Sequence, residues 1–432
     1  MTDTLLPSLE ALLASKHSGR AVAFTAKGVL DWEDFSEQLE CRRHALTGFP
    51  RRRLLLTQAE PLAFALDLIA TLMAGHVPVI PPNFQPGTLA NLEPRLADSL
   101  LPRMPALELC TSGSTGEPKR LVKKLTQIEA ECQALEQLWG GQLADAAIVA
   151  TVPPHHIYGL LFRLFWPLLA GRPFDTLTAA EPTLLADRLA SHRKTVLISS
   201  PAHLARLPEL IDLRHLHPPS LTFSSGGPLN AETARIFASS WGAAPIEVFG
   251  STESGGIAWR SQAGGDPAWS PLPGVVGTRE ADGALSVRSP FLADEAALRL
   301  EDAVDFLPDG RFLLRGRLDR IVKIEEKRLS LPEMEARLAA HPLVKEAAIV
   351  PIASAGGRRT LIGALVVLSE TGNALLQSGQ KQVTSALAAH LSNVYDHVLL
   401  PRRWRFAPCL PTDERGKLPQ AALAAYFAES RQ

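Results

Sequence analysis

Apolar and polar positions alternate between helical and strand-like spacing along the first 250 residues. Residues 62–74 carry apolar side chains at helical spacing and end at Gly75, and residues 77–80 then form a short apolar run that predicts a buried strand. Ser200-Pro201 predicts a helix start, because proline suits the first helical turn. Further strands are predicted at residues 107–110, 146–152, 195–199, 221–224 and 246–249. Strands that alternate with helices indicate an α/β fold with parallel pairing.

The pattern changes after about residue 261, where glycines, prolines and short alternating strands dominate. Residues 284–288 and 311–315 predict an antiparallel β-subdomain. From Ile321 a compact α+β module of ordinary domain size begins. Its predicted elements are strands at 321–324, 346–350 and 361–368, helices at 331–340 and 380–391, and a final helix from Pro419. We therefore expect an α/β protein with a large N-terminal domain of parallel or mixed sheets, a small β-subdomain and a smaller C-terminal domain.

Composition narrows the function classes. The chain has 432 residues, of which 46% are hydrophobic and 21% charged, and its net charge is -1. It therefore has ample material for a core and no broad basic stripe, so we expect no nucleic-acid partner. We expect a cytoplasmic protein without membrane insertion, since no signal peptide precedes it and its most apolar runs are short and interrupted by charge or proline. Four scattered cysteines indicate neither a disulfide framework nor a zinc site.

One segment, residues 111–119, concentrates hydroxyls, two glycines and a lysine: Thr111, Ser112, Gly113, Ser114, Thr115, Gly116, Glu117, Pro118 and Lys119. Glycines allow close backbone approach, successive N–H groups bind anions, and lysine adds a positive charge. The pattern predicts binding of nucleotide phosphates. It is not a Walker A loop, because the glycine and lysine spacing differs from that motif. A Ser/Gly-rich surface turn is the alternative for this segment taken alone.

This segment resembles, throughout its length, the signature loop of the adenylate-forming superfamily. That superfamily includes acyl-CoA synthetases, 4-coumarate–CoA ligases, luciferases and the adenylation domains of peptide synthetases. Further motifs of the superfamily follow in order, and the resemblance covers most of the chain from Ala74 onward. It implies that the seven motif residues other than Glu117 and Pro118 bind ATP phosphates.

Two turns resemble those that form the substrate pocket in the superfamily. Residues 153–160 (Pro-Pro-His-His-Ile-Tyr-Gly-Leu) resemble its His-Ile-Tyr-Gly motif, with His156 as the matching, catalytic-site histidine. Residues 224–229 resemble its Ser-Gly-Gly-x-Pro-Leu turn, one residue shorter. A loop histidine and an ordinary strand-to-helix turn are the structural alternatives. By resemblance the acyl pocket includes His156, Ile157, Ser224, Ser225 and Gly250, and the nucleotide site includes Gly226, Gly227 and Phe249.

Residues 249–253 (Phe-Gly-Ser-Thr-Glu) resemble the superfamily's Tyr-Gly-x-Thr-Glu motif. The resemblance implies that Thr252 contacts the α-phosphate and that Glu253 holds Mg²⁺, a hard cation that prefers carboxylate and phosphate oxygens. Phe249 replaces the usual tyrosine, so any contact through its hydroxyl is lost.

The C-terminal third supplies the remaining superfamily positions. Asp302 and Arg317 match the ribose-binding pair, with Asp305 as the second-placed carboxylate. Asp319 falls at the hinge about which the small domain rotates, which implies domains at 1–317 and 321–432 joined by a hinge at 318–320. Lys417 matches the catalytic lysine. The sequence differs from the superfamily pattern at two further positions. Glu326 replaces a glycine of the pantetheine tunnel, and Gln420 replaces an arginine.

The resemblance implies a two-step reaction. ATP and Mg²⁺ activate a carboxylic acid as the acyl-adenylate, and the thiol of CoA or of a carrier protein then takes the acyl group. Ile157 stands where relatives that activate amino acids carry an aspartate, and an unpaired ammonium there would be costly. We therefore favour an aryl acid, with a fatty acid as the alternative. A non-catalytic adenylate-binding regulator is the hypothesis from another class.

Overall fold

The computed structural model describes residues 5–97, 100–102, 105–112, 118–293, 296–324, 327–353, 360–412, 418 and 420–428. The chain forms two compact units. The first contains residues 1–277, 287–298 and 309–311, and the second contains residues 278–286, 299–308 and 312–432.

A nine-stranded mixed sheet forms the centre of the first unit. Its order is β13-β12-β11-β10-β9-β7-β8-β1-β2. The strands from β11 through β10, β9, β7 and β8 to β1 run parallel, and β2, β12 and β13 pair antiparallel at the two ends. The strands are β1 (Ala21–Thr25), β2 (Gly28–Asp31), β7 (Ala147–Ala150), β8 (Phe174–Thr178), β9 (Thr195–Ser199), β10 (Leu221–Ser225), β11 (Ile246–Ser251), β12 (Gly255–Ser261) and β13 (Ser270–Pro271).

A second sheet of four strands also lies in this unit, in the order β3-β4-β5-β6. Strands β3, β4 and β5 are parallel, whereas β5 and β6 form an antiparallel pair. The strands are β3 (Arg53–Leu55), β4 (Val77–Ile80), β5 (Ala106–Ser112) and β6 (Pro118–Lys124).

Helices cover both sheets and begin where the local sequence favours it. The Ser200 hydroxyl caps α9 by accepting from the His203 N–H, and Pro201 occupies the first turn. The helices of this unit are α1 (Leu9–Ala14), α2 (Trp32–Leu46), α3 (Pro61–Met73), α4 (Pro86–Leu92), α5 (Leu125–Leu143), α6 (Ile157–Gly159), α7 (Trp166–Ala170), α8 (Pro182–Ala190), α9 (Pro201–Leu210) and α10 (Ala231–Trp241), with a π-helix (Leu160–Phe165) between α6 and α7.

Aromatic side chains form the core between the large sheet and helices α5 and α7. The ring of Phe223 lies 5.0 Å from that of Trp139, 5.1 Å from that of Phe162 and 5.9 Å from that of Trp166. All four side chains are buried. Their large apolar area makes this cluster a major source of stability for the first unit.

The second unit begins in the β-subdomain and continues to the C-terminus. A four-stranded sheet has the order β14-β15-β16-β17, and its last two strands are antiparallel. A three-stranded sheet, β20-β21-β22, packs on helices around Met334, Leu387 and Leu391. The elements are β14 (Val276–Arg279), β15 (Ala284–Arg288), β16 (Leu298–Phe306), β17 (Phe312–Arg317), β18 (Ile321–Ile324), β19 (Lys327–Ser330), α11 (Leu331–Ala339), β20 (Val344–Ala353), β21 (Thr360–Leu368), α12 (Glu370–Ser378), α13 (Gln380–Ser392), β22 (Arg403–Phe406) and α14 (Gln420–Ala428).

The predicted α/β fold is confirmed, and the strands predicted from apolar runs are present with ends shifted by a few residues. The large sheet is mixed, which the expectation of parallel or mixed sheets includes. Strand β12 returns antiparallel to β11 because only three residues join them, and a parallel return needs a long crossover. The sequence analysis also missed the N-terminal hairpin of β1 and β2, in which Gly28, with φ +129°, pairs with Thr25 directly after the turn at Ala26-Lys27.

We predict that Phe223→Ala lowers the free energy of unfolding of the first unit by about 3–5 kcal/mol, since it opens a cavity in the aromatic core. Urea unfolding followed by tryptophan fluorescence reports this transition, because Trp139 and Trp166 border the site. Phe49→Ala, at a side chain that is 52% exposed, is the matched control and should cost less than about 1 kcal/mol. Equal losses in the two variants would contradict the assigned core.

Candidate active site

The β5–β6 hairpin carries the predicted phosphate-binding segment at its end. Thr111 pairs with Lys119 and Ser112 with Pro118 across the two strands, so the two ends of the segment lie side by side. The Lys119 side chain is exposed. The predicted residues Gly113, Ser114, Thr115 and Gly116 lie outside the described residues, and for Thr111 and Ser112 the backbone alone is described.

Strand β10 ends with the predicted pocket residues Ser224 and Ser225, and the predicted nucleotide-site residues Gly226 and Gly227 follow in the turn. Gly226 has φ +94°, a left-handed conformation that favours glycine. The Ser225 hydroxyl donates to the carbonyl of Val248 at 2.8 Å, which ties this turn to β11. The Ser224 hydroxyl is buried without a hydrogen-bond partner among the described residues.

Strands β11 and β12 form a hairpin that carries Thr252 and Glu253 at its turn. Ser251 and Ser254 close the turn reciprocally, because each backbone N–H donates to the other residue's hydroxyl, at 2.9 Å and 3.1 Å. Gly250 lies against the opposite strand, where an added Cβ would meet the Gly255 carbonyl oxygen at 2.2 Å. The Glu253 side chain is exposed, and its carboxylate forms no hydrogen bond or ion pair with the described residues. The turn is thus tightly built while its carboxylate remains open to a ligand.

The histidine loop precedes α6, and His156 is the N-cap residue directly before that helix. The rings of His155 and His156 lie 4.2 Å apart, and His155 meets Phe84 edge-on at 4.8 Å. Ile157 opens α6, and the ring of Tyr158 lies 4.9 Å from that of Phe162. The predicted acyl-pocket residues on this loop therefore stand among aromatic rings.

A buried arginine anchors that loop. Arg163 lies in the π-helix, 1% exposed, and its guanidinium donates to the carbonyls of Val152, Asp175 and Leu177 and to the Thr178 hydroxyl at 2.8–3.1 Å. Burial lowers its pKa to about 10, so it is charged at neutral pH. Val152 begins the segment that leads to His156, so the arginine fixes that segment against β8. π-helical turns often occur at functional sites.

Three polar side chains lie buried beneath the β11–β12 turn, and the sequence analysis missed them. The Lys123 ammonium donates to the carbonyls of Glu253 at 2.9 Å and Phe291 at 3.2 Å. The Gln127 amide donates to the same Phe291 carbonyl at 2.9 Å, and the Glu131 carboxylate accepts from the Gly256 N–H at 2.7 Å. For Gln127 and Glu131 their spacing of four residues was the available signal, since it places both on one side of α5; Lys123 precedes that helix, in β6.

Burial shifts the protonation of this group. It raises the pKa of the Glu131 carboxyl to about 7, while the Gly256 N–H and the Lys123 ammonium favour the charged form. Burial also lowers the pKa of Lys123, and the attraction of Glu131 and Glu253 opposes that shift.

The second unit brings together the predicted ribose-binding pair. Asp302 and Arg317 are partners in the β16–β17 register, and their side chains approach within 3.7 Å. Asp305, the second-placed carboxylate, is engaged by Arg315 at 2.7 Å and by Arg279 at 3.6 Å. Asp302, which pairs with Arg317, is therefore the better candidate of the two for the ribose-binding carboxylate.

Of the remaining predicted residues, Asp319 lies in a 3-10 turn (Leu318–Arg320) of which only the backbone is described at that position. Lys417 and Glu326 lie outside the described residues, and Gln420 is the first residue of α14.

Comparison with known proteins identifies the family. The family model for the AMP-binding enzyme matches residues 15–279, which extends the likeness upstream of Ala74. A 4-coumarate–CoA ligase from Rhodobacter capsulatus is 30% identical over 310 residues, which cover 71% of this chain and 73% of that protein. The chain belongs to the AMP-binding enzyme family. It is therefore an AMP-forming acid–thiol ligase, which uses ATP to activate a carboxylic acid as an acyl-adenylate.

Other relatives and solved structures agree with this assignment. Enterobactin synthase component F from Escherichia coli K12 is 26% identical over 379 residues, covering 74% of this chain and 28% of that protein. The fold is similar to ATP-bound MatB from Rhodopseudomonas palustris, with a TM-score of 0.79 at 19% identity over 98% of this chain and 99% of that one. A benzoate CoA ligase from Burkholderia xenovorans LB400 gives 0.75 at 20% identity over 94% and 96%.

Among the described residues of the AMP-binding enzyme, no helix combines the length and apolar character that crossing a membrane requires. The predicted cytoplasmic location stays a prediction.

We predict that Gly250→Ala strains the β11–β12 hairpin, because the new methyl group would meet the Gly255 carbonyl oxygen. It should lower the free energy of unfolding by about 1–3 kcal/mol and reduce acyl-adenylate formation more than tenfold. Gly264→Ala is the matched control, since nothing lies within 4 Å of its added Cβ. Thermal unfolding and pyrophosphate release check both effects; wild-type behaviour of Gly250→Ala would refute the tight packing of this turn.

The Glu131 carboxyl predicts a pH-dependent stability. Its pKa is raised from an ordinary 4.5 to about 7 in the folded protein, so the folded state binds more protons within that window. The free energy of unfolding should therefore fall as pH rises from about 4.5 to about 7, by on the order of 1 kcal/mol per pH unit from this group. Glu131→Gln should lose this slope.

Urea unfolding of wild type and Glu131→Gln at pH 5, 6, 7 and 8 measures the effect. Glu129→Gln is the control on the same helix, because the Glu129 carboxylate accepts from the Leu9 N–H away from this group. It should retain the wild-type slope. Parallel pH profiles of wild type and Glu131→Gln would show that Glu131 does not titrate in this window.

Proposed function

We propose that this ligase activates an aryl carboxylic acid with ATP and Mg²⁺ and transfers the acyl group to CoA or to the pantetheine thiol of a carrier protein. The observation that supports an aryl acid as the substrate is the set of aromatic rings around the histidine loop. His155 contacts Phe84 edge-on at 4.8 Å, and Tyr158 contacts Phe162 at 4.9 Å. A flat aromatic substrate gains from stacked or edge-on contacts with such rings.

The first step joins the acid to AMP. A carboxylate oxygen attacks the α-phosphorus of ATP, and the bond to the bridging oxygen of pyrophosphate breaks. Thr252 contacts the α-phosphate, while Thr111, Ser112, Gly113, Ser114, Thr115, Gly116 and Lys119 bind the outgoing phosphates. Lys417 donates to the carboxylate and phosphate oxygens as charge shifts, an electrostatic contribution to the transition state. Gly226, Gly227 and Phe249 border the adenine, and Asp302 and Arg317 bind the ribose.

Glu253 would hold the magnesium ion. Its carboxylate is exposed in a turn that hydrogen bonds hold. This suits a hard cation that would take its remaining ligands from phosphate oxygens and water. When bound, the ion supplies charge neutralisation to the phosphates. The chain itself contributes the position of the carboxylate, since the Ser251 and Ser254 bonds hold the turn.

The second step releases AMP. The sulfur of the acceptor thiol attacks the acyl carbon, the bond between that carbon and the phosphate oxygen breaks, and the thiol proton is lost. We propose the domain division given by the resemblance, with residues 1–317 and 321–432 joined at 318–320. Rotation about Asp319 would then bring the second domain into its thioester-forming position. Glu326, in place of the usual glycine, is a candidate determinant of the acceptor.

The relatives support both parts of the proposal. A 4-coumarate–CoA ligase and a benzoate CoA ligase act, by their names, on aryl acids with CoA. Ile157 is apolar, so this predicted pocket residue supplies no carboxylate. An amino acid is therefore disfavoured as the substrate, because the ammonium of the amino acid would be unpaired. A fatty acid remains the alternative substrate.

A panel of acids tests this function directly. We expect ATP-dependent pyrophosphate release with benzoate- or cinnamate-type acids at a kcat/KM at least tenfold above that for fatty and amino acids. A preference for fatty acids would select the alternative. Absence of turnover with every acid, together with tight ATP binding, would instead indicate the regulatory hypothesis. Repeating the assay with CoA and with a pantetheine-loaded carrier protein then identifies the acceptor.

We predict that Lys417→Ala abolishes adenylation and spares thioester formation from supplied acyl-adenylate, because the ammonium acts in the first step. Pyrophosphate release measures adenylation, and thioester formation from synthetic acyl-adenylate isolates the second step. Lys381→Ala, at an exposed lysine of α13, is the control and should leave both steps unchanged. Equal loss of the two steps in Lys417→Ala would contradict this role.

A further inference from the structure

We propose that Lys123 is a positioning residue that presets the Thr252–Glu253 turn for the metal–nucleotide, and that Gln127 and Glu131 complete its support. This inference rests on the proposed function, in which Thr252 and Glu253 meet the phosphates and the metal ion. It adds a buried group that lies outside the motifs through which the family was identified.

The need for such a group comes from the sheet topology. The β5–β6 hairpin, which carries the phosphate-binding segment, belongs to the four-stranded sheet, whereas the β11–β12 hairpin, which carries Glu253, belongs to the nine-stranded sheet. Backbone ladders order the strands within each sheet. Side chains must therefore set the distance between the two hairpins.

Lys123 spans that gap. Its backbone is part of β6, paired with Leu107 and four residues after Lys119. Its ammonium crosses to the other hairpin and donates to the carbonyl oxygen of Glu253 at 2.9 Å. The bond thus reaches the residue whose carboxylate we assign to the metal, and a small displacement of that carbonyl would move the carboxylate with it.

Glu131 holds the start of β12, directly after the turn, and Gln127 supports the surroundings of Lys123. Glu131 accepts from the Gly256 N–H at 2.7 Å, so the hairpin is bonded at both residue 253 and residue 256. Gln127 shares the Phe291 carbonyl with Lys123, at 2.9 Å and 3.2 Å, and its own oxygen accepts from the Lys124 N–H at 2.7 Å. The lack of a side chain at Gly255 leaves room for the Glu131 carboxylate, since a Cβ on residue 255 would lie 2.6 Å from that carboxylate.

The charge of Lys123 also favours a positioning role. The residue is 4% exposed, and an apolar side chain of similar volume would fill the space without desolvating a charge. The ammonium instead pairs with two carbonyls and is attracted by Glu131 and Glu253. A buried cation that bonds backbone oxygens fixes their direction, which packing alone does not do.

Lys123→Met tests the inference, with Lys124→Met as the matched control. The adjacent Lys124 donates to the carbonyl of Ala293 at 3.1 Å and does not reach the turn. Isothermal titration calorimetry with Mg²⁺ and α,β-methylene-ATP should show affinity reduced about tenfold or more in Lys123→Met and changed less than about twofold in the control, the scale of one charged hydrogen bond.

A second readout needs neither metal nor nucleotide. Hydrogen exchange of the 251–256 backbone amides should be faster in Lys123→Met than in wild type and in Lys124→Met, because the turn loses its anchor. The neutral Lys123→Gln retains a donor and should recover part of the affinity; it also provides the test if the methionine variant does not fold. Wild-type affinity and exchange in a folded Lys123→Met protein would overturn the inference.

A double-mutant cycle with Glu253→Gln separates positioning from general loss of structure. If Lys123 acts through the turn, Lys123→Met should weaken nucleotide binding much less in the Glu253→Gln background than in wild type. Additive losses would overturn the positioning role. Failure of wild type to bind Mg²⁺ and the analogue, or to release pyrophosphate with any acid, would refute the proposed function instead.

Discussion

Parallel pairing of β7, β9, β10 and β11 is the constraint on which the first unit's site depends. The carboxyl ends of these strands meet at one edge of the sheet, so the loops that follow them share that edge. Side chains reinforce it there, as in the 2.8 Å bond between the hydroxyls of Thr151 and Ser199. A shift of β10 by one residue would exchange the faces of Ser224 and Ser225 and remove the tie to Val248.

Buried charge is used where the backbone cannot supply order. Arg163 bonds the carbonyl of Val152, which lies beyond the last pair of the β7–β8 ladder, and carbonyls of β8. Lys123 links the β5–β6 hairpin to the β11–β12 turn. Burying each cation costs desolvation free energy, and the hydrogen bonds of the cation offset part of that cost. Both lie beside segments that carry predicted ligand contacts. The first unit therefore accepts a cost in stability at the places where the direction of a loop matters most.

The sequence predicted the features that depend on local pattern. Apolar runs located the main strands, and glycine–hydroxyl motifs located the turns, because each depends on neighbouring residues alone. It placed Asp302 ahead of Asp305 on spacing alone, since both are acidic and close together. The β16–β17 register adds a physical reason, because it pairs Asp302 with Arg317, and the ribose-binding role stays a prediction. The sequence analysis missed Lys123 and Glu131 because an isolated lysine or glutamate ordinarily predicts an exposed surface, and their burial arises from tertiary contacts.

The same distinction explains why the motifs identify the reaction more readily than the acid. Phosphates are bound largely by backbone groups and hydroxyls in short segments, so a few consecutive residues suffice to recognise the chemistry. The proposed surroundings of the acid instead combine Phe84, which follows β4 and contacts His155, with Tyr158 and Phe162, which contact each other. Phe84 and Phe162 lie outside the motifs, and Phe84 reaches the histidine loop only after the chain folds. In the proposed site, substrate preference therefore depends on tertiary packing around a reaction site that local sequence defines.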